Sequence, residues 1–303
     1  MKENLDNVRE KCYNTQVFSH RPRAESFTGE DVPVYPQNLH THGIYCDGKD
    51  DYEDTVKRAM ELGLTSIGFS GHSYMFYSPS HSMTPPNTAL YKKTVRALEE
   101  KYREKIRVYL GLEFDMYSTD DTEGLDYMLG ALHYLKLGDR YVGFDRDAAT
   151  VEGIIQTEFG GDGMKYAARY YEELSLLPRF GTFDAVAHFD LVTKHKETHN
   201  FFDTESPAYR AMAIDCMRTL VPHIPLFEVN TGAIARGYRT TPYPDLFLLK
   251  ELKRLGGGVI LGSDCHDNRY LTCHFGEAEE LVREAGFRSV FVFEEGSFRE
   301  IGI

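Results

Sequence analysis

Histidine and carboxylate residues recur in this chain at the ends of short apolar runs, a placement that suits metal binding. Gly256-Gly257-Gly258 precedes the run Val259 to Gly262, which leads into Ser263-Asp264-Cys265-His266. Side chains two apart on a strand point the same way, so Asp264 and His266 would share one face while Cys265 takes the other. Similar runs occur at Asn38-Leu39-His40-Thr41-His42, with Asp47 in the turn beyond, and at Ser66 to Ser70, followed by Gly71-His72-Ser73. Arg107 to Phe114 carries Glu113, Tyr127 to His133 ends in His133, and Asp184 to His188 ends in His188. Leu226-Phe227-Glu228-Val229-Asn230 is a further run of this kind.

The candidate ligands are therefore His40, His42, Asp47, His72, Glu113, His133, His188, Asp264 and His266, six histidines and three carboxylates. Nine are too many for one ion. Three divalent ions sharing bridging groups, each with about four or five ligands counting solvent, would use them without leaving buried charge unpaired. Imidazole and carboxylate without thiolate suit zinc, manganese or iron. Taken alone, any one of these histidines reads as an ordinary hydrogen-bonded residue; their repetition at strand ends points to a site. His20, His195, His199, His223 and His274 lack that placement, and His81, in a long loop, is a candidate substrate contact.

Elements that could position such a set follow from the pattern between the runs. Tyr52 to Leu62 is an amphipathic helix stopped by Gly63, and a charged helix runs from about Thr88 to Glu104. Another spans about Gly163 to Ser175, where Tyr166, Tyr170 and Leu174 form a stripe suited to core packing. Apolar strands alternating with helices make an α/β fold of repeated βα units. Closed or nearly closed into a barrel, such units bring their C-terminal strand ends to one face, where active sites of these folds are built. Ser289 to Phe293 carries no ligand and reads as an extra strand or closing element. The loop Tyr74 to Pro86 is long enough to be a lid or binding loop. Residues 1–37, polar and with Pro22, Pro33 and Pro36, read as an N-terminal arm; no linker or repeat divides residues 38–303, read as one domain.

Composition narrows the function. With 42% hydrophobic and 27% charged residues among 303, the chain reads as a soluble globular protein, and no run approaches the roughly 20 apolar residues of a membrane helix. Met1 to Asp6 lacks a signal-peptide stretch, so a cytoplasmic location is expected. Five cysteines, odd in number and without CxxC spacing, argue for reduced thiols. The balance of 34 basic against 47 acidic residues, net −13, disfavours a long nucleic acid partner. A small anionic substrate would need positive charge from the site itself, which metal ions supply. Oligomeric state is not legible.

His40-Thr41-His42 with Asp47, Gly71-His72-Ser73, Glu113, His133, His188 and Ser263-Asp264-Cys265-His266, in this order, resemble the polymerase and histidinol phosphatase (PHP) superfamily. The wording is closest to its histidinol-phosphatase branch at Gly68 to His72, Gly111-Leu112-Glu113, Ala187 to Leu191, Glu228 to Gly232 and Pro242-Tyr243-Pro244. The resemblance covers residues 38 to about 285. It implies a distorted (β/α)7 barrel with a trinuclear metal site. His40, His42, Glu113 and Asp264 would hold one ion, Glu113, His133 and His188 a second, and Asp47, His72 and His266 a third, with Glu113 bridging. Two departures are the 37 residues before the first motif and the distinct sequences of the loops after His72 and His133. Substrate choice resides in such loops.

The implied reaction is hydrolysis of a phosphate monoester, with metal-bound hydroxide as nucleophile and no catalytic residue beyond the ligands. Just past strand ends, Arg236, Lys194 and Arg239 are candidate phosphate-binding cations. L-histidinol phosphate is the implied substrate, with L-histidinol and phosphate as products in histidine biosynthesis. Alternatives are another PHP phosphoesterase acting on a nucleotide, sugar phosphate or phosphotyrosine, or a non-catalytic metal-binding protein.

Overall fold

The computed structural model describes residues 35–78 and 81–303. The expected N-terminal arm lies, up to residue 34, outside the described residues; Tyr35 is buried and Gln37 already begins the first strand.

Seven strands form the sheet: β1 (Gln37–Asn38), β2 (Ser66–Phe69), β3 (Arg107–Asp115), β4 (Tyr127–Ala131), β7 (Ala185–Val186), β8 (Leu226–Asn230) and β9 (Gly258–Gly262). They neighbour one another in that order, and every pairing is parallel. Beyond the ends of β9 and β1 the sheet nearly closes on itself. The amide of His42 donates to the Cys265 carbonyl at 2.8 Å and the amide of Cys265 to the His40 carbonyl at 3.1 Å. Two-residue strands at β1 and β7 make the barrel irregular, as the resemblance implied.

Helices α1 (Tyr52–Glu61), α2 (Pro85–Tyr102), α3 (Ala148–Phe159), α4 (Gly163–Leu174), α5 (Pro207–Leu220), α6 (Gly232–Ala235), α7 (Leu246–Arg254) and α8 (Phe275–Glu284) follow in chain order. Several begin at side-chain caps that satisfy an orphan amide: Asp51 accepts from Glu53, Thr84 from Asn87, Asp147 from Thr150 and Ser206 from Tyr209. The Thr84 cap with Pro85 and Pro86 at the first helical positions starts α2 three residues before Thr88, shortening the loop. Tyr166, Tyr170 and Leu174 of α4 are buried, as expected of core packing. Among the described residues no helix is long and apolar enough to cross a membrane, and Cys46, Cys216, Cys265 and Cys273 are free thiols.

The barrel interior is a second core, distinct from the helix-covered outer layer: Leu39, Tyr127, Leu129, Ala131, Ala185, Ala187, Leu226, Ile260 and Phe293. Tyr127 crosses it, its hydroxyl donating to the Leu39 carbonyl at 2.5 Å and the Phe69 carbonyl at 3.1 Å. Gly68 and Gly111 make room for its ring, since a Cβ on either would lie within 2.3 Å of a Tyr127 atom. Phe293 belongs to a hairpin, β10 (Ser289–Glu294) with β11 (Ser297–Gly302), that closes the N-terminal mouth. Gln37 fastens it, its side chain exchanging hydrogen bonds of 2.8 Å with both backbone groups of Phe293. A second hairpin, β5 (Tyr134–Leu137) with β6 (Arg140–Gly143), follows β4 directly.

Candidate metal centre

All nine expected ligands converge at the C-terminal mouth. Their ligating atoms form four overlapping groups, each within 4.8 Å: His42, Asp47, His72 and His266; His40, His42 and Asp264; His40, Glu113 and His188; His72, Glu113 and His133. Glu113, on β3 and 1% exposed, is common to two of them. One of its oxygens, Oε1, faces His188 Nε2 at 2.7 Å and His133 Nε2 at 3.3 Å. The other faces His72 Nδ1 at 2.7 Å, His40 Nε2 at 3.4 Å and His42 Nε2 at 3.5 Å. A carboxylate so placed can bridge ions.

At the open side, Asp47 lies 3.2 Å from His266 Nε2 and 3.7 Å from His72 Nε2, and the His42 and His266 rings stack at 4.0 Å. Asp264 Oδ1 lies 3.3 Å from His42 Nε2. Two of the candidate ligands occupy the left-handed region of backbone space: His188 with φ 24° and Asp264 with φ 47°. For residues other than glycine this is strained, and such strain collects at functional sites.

Electrostatics pull these groups in opposite directions. Burial would raise the Glu113 carboxyl, but His72, His40 and His133 hold it well below the usual range. Burial likewise opposes ionisation of Asp264, yet Arg236 and His40 keep it low. His42, buried and crowded by His266 and His72, falls to about 3 and is therefore neutral, the form that binds metal. His40 goes the other way: burial would lower it, but Glu228, Glu113 and Asp264 raise it well above its ordinary value.

The donor set fits divalent ions. His40 Nε2 and His42 Nε2 are buried and have no hydrogen-bond partner among the described residues. Each such atom costs about 1–3 kcal/mol if left unsatisfied, and both face Glu113 and Asp264 oxygens across gaps of 3.3–3.8 Å. An ion among them would satisfy all four groups.

Around the ligands sit the expected substrate cations. Arg236 donates to Asp264 Oδ2 at 2.8 Å and to its carbonyl at 2.9 Å, and its Nη1 lies 3.5 Å from His266 Nδ1. A third of its side chain remains exposed. Lys194 pairs with Asp145 at 2.6 Å and lies over the Tyr238 ring. His81 Nε2 is 3.1 Å from Arg146. Arg239 differs. Its side chain is fully buried, bonded to Thr193 Oγ1 at 2.7 Å and Asp245 Oδ1 at 2.5 Å, with Asp190 at 3.8 Å. Its charge is matched inside the protein, which corrects the expectation that it contacts phosphate.

Two residues behind the ligands escaped the sequence reading. Glu228, fully buried on β8, accepts from His40 Nδ1. Asp115 accepts from the amide of His133 at 3.0 Å and from the Tyr77 hydroxyl at 2.8 Å. Their strand register toward the barrel interior was legible; their partners were not.

The profile of the PHP domain matches residues 38–232. The chain belongs to the PHP domain family. The barrel continues past that match, since β9 and the candidate ligands Asp264 and His266 follow it. Among similar PHP proteins, a histidinol-phosphatase of Lactococcus lactis is 24% identical over 270 residues, 84% of this chain and 93% of the relative. A Deinococcus radiodurans protein named "Probable histidinol-phosphatase" is 26% identical over 249 residues, 78% of this chain and 87% of its own. A crystal structure of histidinol phosphate phosphatase from Lactococcus lactis, complexed with zinc, L-histidinol and phosphate, has a TM-score of 0.68 at 20% identity. It covers 87% of this chain and 98% of the other, and at that identity the likeness is one of fold.

Proposed function

We propose that this PHP-domain chain is a metal-dependent phosphomonoesterase that hydrolyses L-histidinol phosphate to L-histidinol and phosphate. The observation that carries the reading is the convergence of nine imidazole and carboxylate ligands around Glu113. Relatives named for histidinol phosphate over most of their length favour that ester over a nucleotide, a sugar phosphate or phosphotyrosine.

In this reading His40, His42 and Asp264 would hold one ion with Glu113, His133 and His188 would hold another through Glu113, and Asp47, His72 and His266 would hold a third. Zinc in the Lactococcus lactis relative favours zinc here. Bound ions supply Lewis-acid polarisation of the phosphoryl oxygens and an activated water near neutral pH. The chain's own contribution is positioning and charge. Arg236, fixed by two bonds to Asp264, offers the exposed part of its guanidinium to a phosphate oxygen at the edge of the ligand set. Lys194 adds a second cation tempered by Asp145, and His81 approaches from the loop before α2.

Phosphate release from L-histidinol phosphate, beside a nucleotide, a sugar phosphate and phosphotyrosine, tests the reading. A preference in kcat/KM of about 10²-fold or more for histidinol phosphate is expected. Preference for another monoester would keep the chemistry and reject the substrate. No turnover by metal-loaded protein would reject both.

A further inference from the structure

We infer that Glu228 is a positioning residue that fixes His40 and His188, ligands of the two ions that share Glu113, so that its loss weakens those positions and spares the third. The inference rests on the metal centre proposed above. Its two targets, His40 and His188, come together with Glu113 in one of the four groups.

Glu228 has no exposed surface and no ligating atom in any of the four groups. Its Oε1 lies 2.7 Å from His40 Nδ1. Its Oε2 accepts from the His188 amide at 3.1 Å and from Asn230 Nδ2 at 2.9 Å. The first bond decides a tautomer. A carboxylate only accepts, so His40 Nδ1 carries a proton, and Nε2 is the nitrogen turned toward Glu113 and Asp264, where an ion would bind. The second decides a backbone shape. His188 has φ 24°, and its amide is held by the same carboxylate that orients His40. Gly262 keeps the space for this clamp, because a Cβ there would lie 1.9 Å from Glu228 Oε1 and 3.1 Å from the His40 Cβ.

Glutamine at 228 would have the same shape but one acceptor too few. If its oxygen faces the His188 amide and Asn230, its NH2 faces His40 Nδ1 and pushes the imidazole proton to Nε2, the nitrogen that must coordinate. If its oxygen faces His40, the NH2 opposes two donors and the His188 backbone loses its hold. Either way an ion that His40 or His188 helps to hold suffers. The bonds of Glu228 go to His40, the His188 amide and Asn230, so the ion of Asp47, His72 and His266 should keep its affinity.

The test counts zinc binding to chelator-stripped protein against a competing chelator, for the wild type, Glu228→Gln and Gly262→Ala, the last displacing the carboxylate without changing its charge. Circular dichroism and thermal unfolding of the metal-free forms run alongside. Both variants should lose about 10–100-fold in at least one of the two classes that His40 and His188 serve, while the third holds. Unchanged affinities, or equal weakening of every class with a lowered metal-free unfolding midpoint, would overturn the inference. Nitrogen-15 NMR of labelled histidines in zinc-loaded wild type needs no variant to fold. His40 should coordinate through Nε2 with a proton on Nδ1, and coordination through Nδ1 would overturn the clamp. Wild-type protein that binds no zinc would instead sink the metal centre, whereas zinc binding without phosphatase activity would leave the clamp standing and remove only the proposed reaction.

Discussion

At its N-terminal mouth the barrel is shut by carbon: Phe293 sits among Leu39, Tyr127, Leu226 and Ile260, with Phe291 and Phe298 alongside. At the C-terminal mouth the same strands deliver imidazole and carboxylate groups that crowd one another and leave buried nitrogens without hydrogen-bond partners among the described residues. Apolar packing gains free energy without any visitor, whereas the polar mouth is a site that ions would complete. Stability and chemistry are thus separated along one axis by about the length of a short strand. Residues at one end can be altered to report on folding, and at the other to report on metal and substrate.

Asp264→Ala or His188→Ala should have the largest effect, lowering turnover at least about 10³-fold while the metal-free chain stays folded. Metal content, circular dichroism and phosphate release together check this; near-normal activity would remove the assignment of these two as ligands. Phe293→Ala should do the reverse. It should lower stability by about 3–5 kcal/mol, read by denaturant unfolding, and leave kcat of the folded molecules unchanged. Parallel losses of activity and stability at both ends would break the comparison.

The two arginines of the loop after β8 sharpen it. Arg239→Ala removes the arginine that pairs with buried Asp190 and, beside Lys196, with half-buried Asp245, and should cost about 3–5 kcal/mol of stability with KM unaltered. Arg236→Ala should instead raise KM for the phosphate ester about 10-fold, equivalent to about 1.4 kcal/mol. Unchanged kinetics would show Arg236 to be only a brace on Asp264. The smallest effect belongs to Lys194→Ala, a few-fold rise in KM measured the same way, because Asp145 already neutralises much of that charge.

Much of this architecture was legible in the sequence because its signals are local. An apolar run ending in His, Asp or Glu shows both the strand and the direction of its last side chain, and seven such runs imply a ring of strand ends. Gly63, with φ 75°, stops α1 where its sequence suggested. The hairpins were missed although Gly138-Asp139 and Glu295-Gly296 are tight-turn signals; at the latter pair both residues take positive φ, 52° and 80°. Arg236 and Arg239, three positions apart in one loop, were both candidate phosphate contacts. Only the fold reveals that one meets Asp264 and the other Asp190 and Asp245. Glu228 was beyond local reasoning for the same cause, since its partner His40 lies 188 positions away.

The central claim is that the polar mouth is a metal centre that hydrolyses a phosphate monoester. Phosphate release from L-histidinol phosphate, followed before chelation, after it, and after zinc is restored with bound metal counted at each stage, tests it most directly. The account expects activity to vanish with the metal and return with it while the fold persists. Turnover that survives complete removal of metal would contradict it.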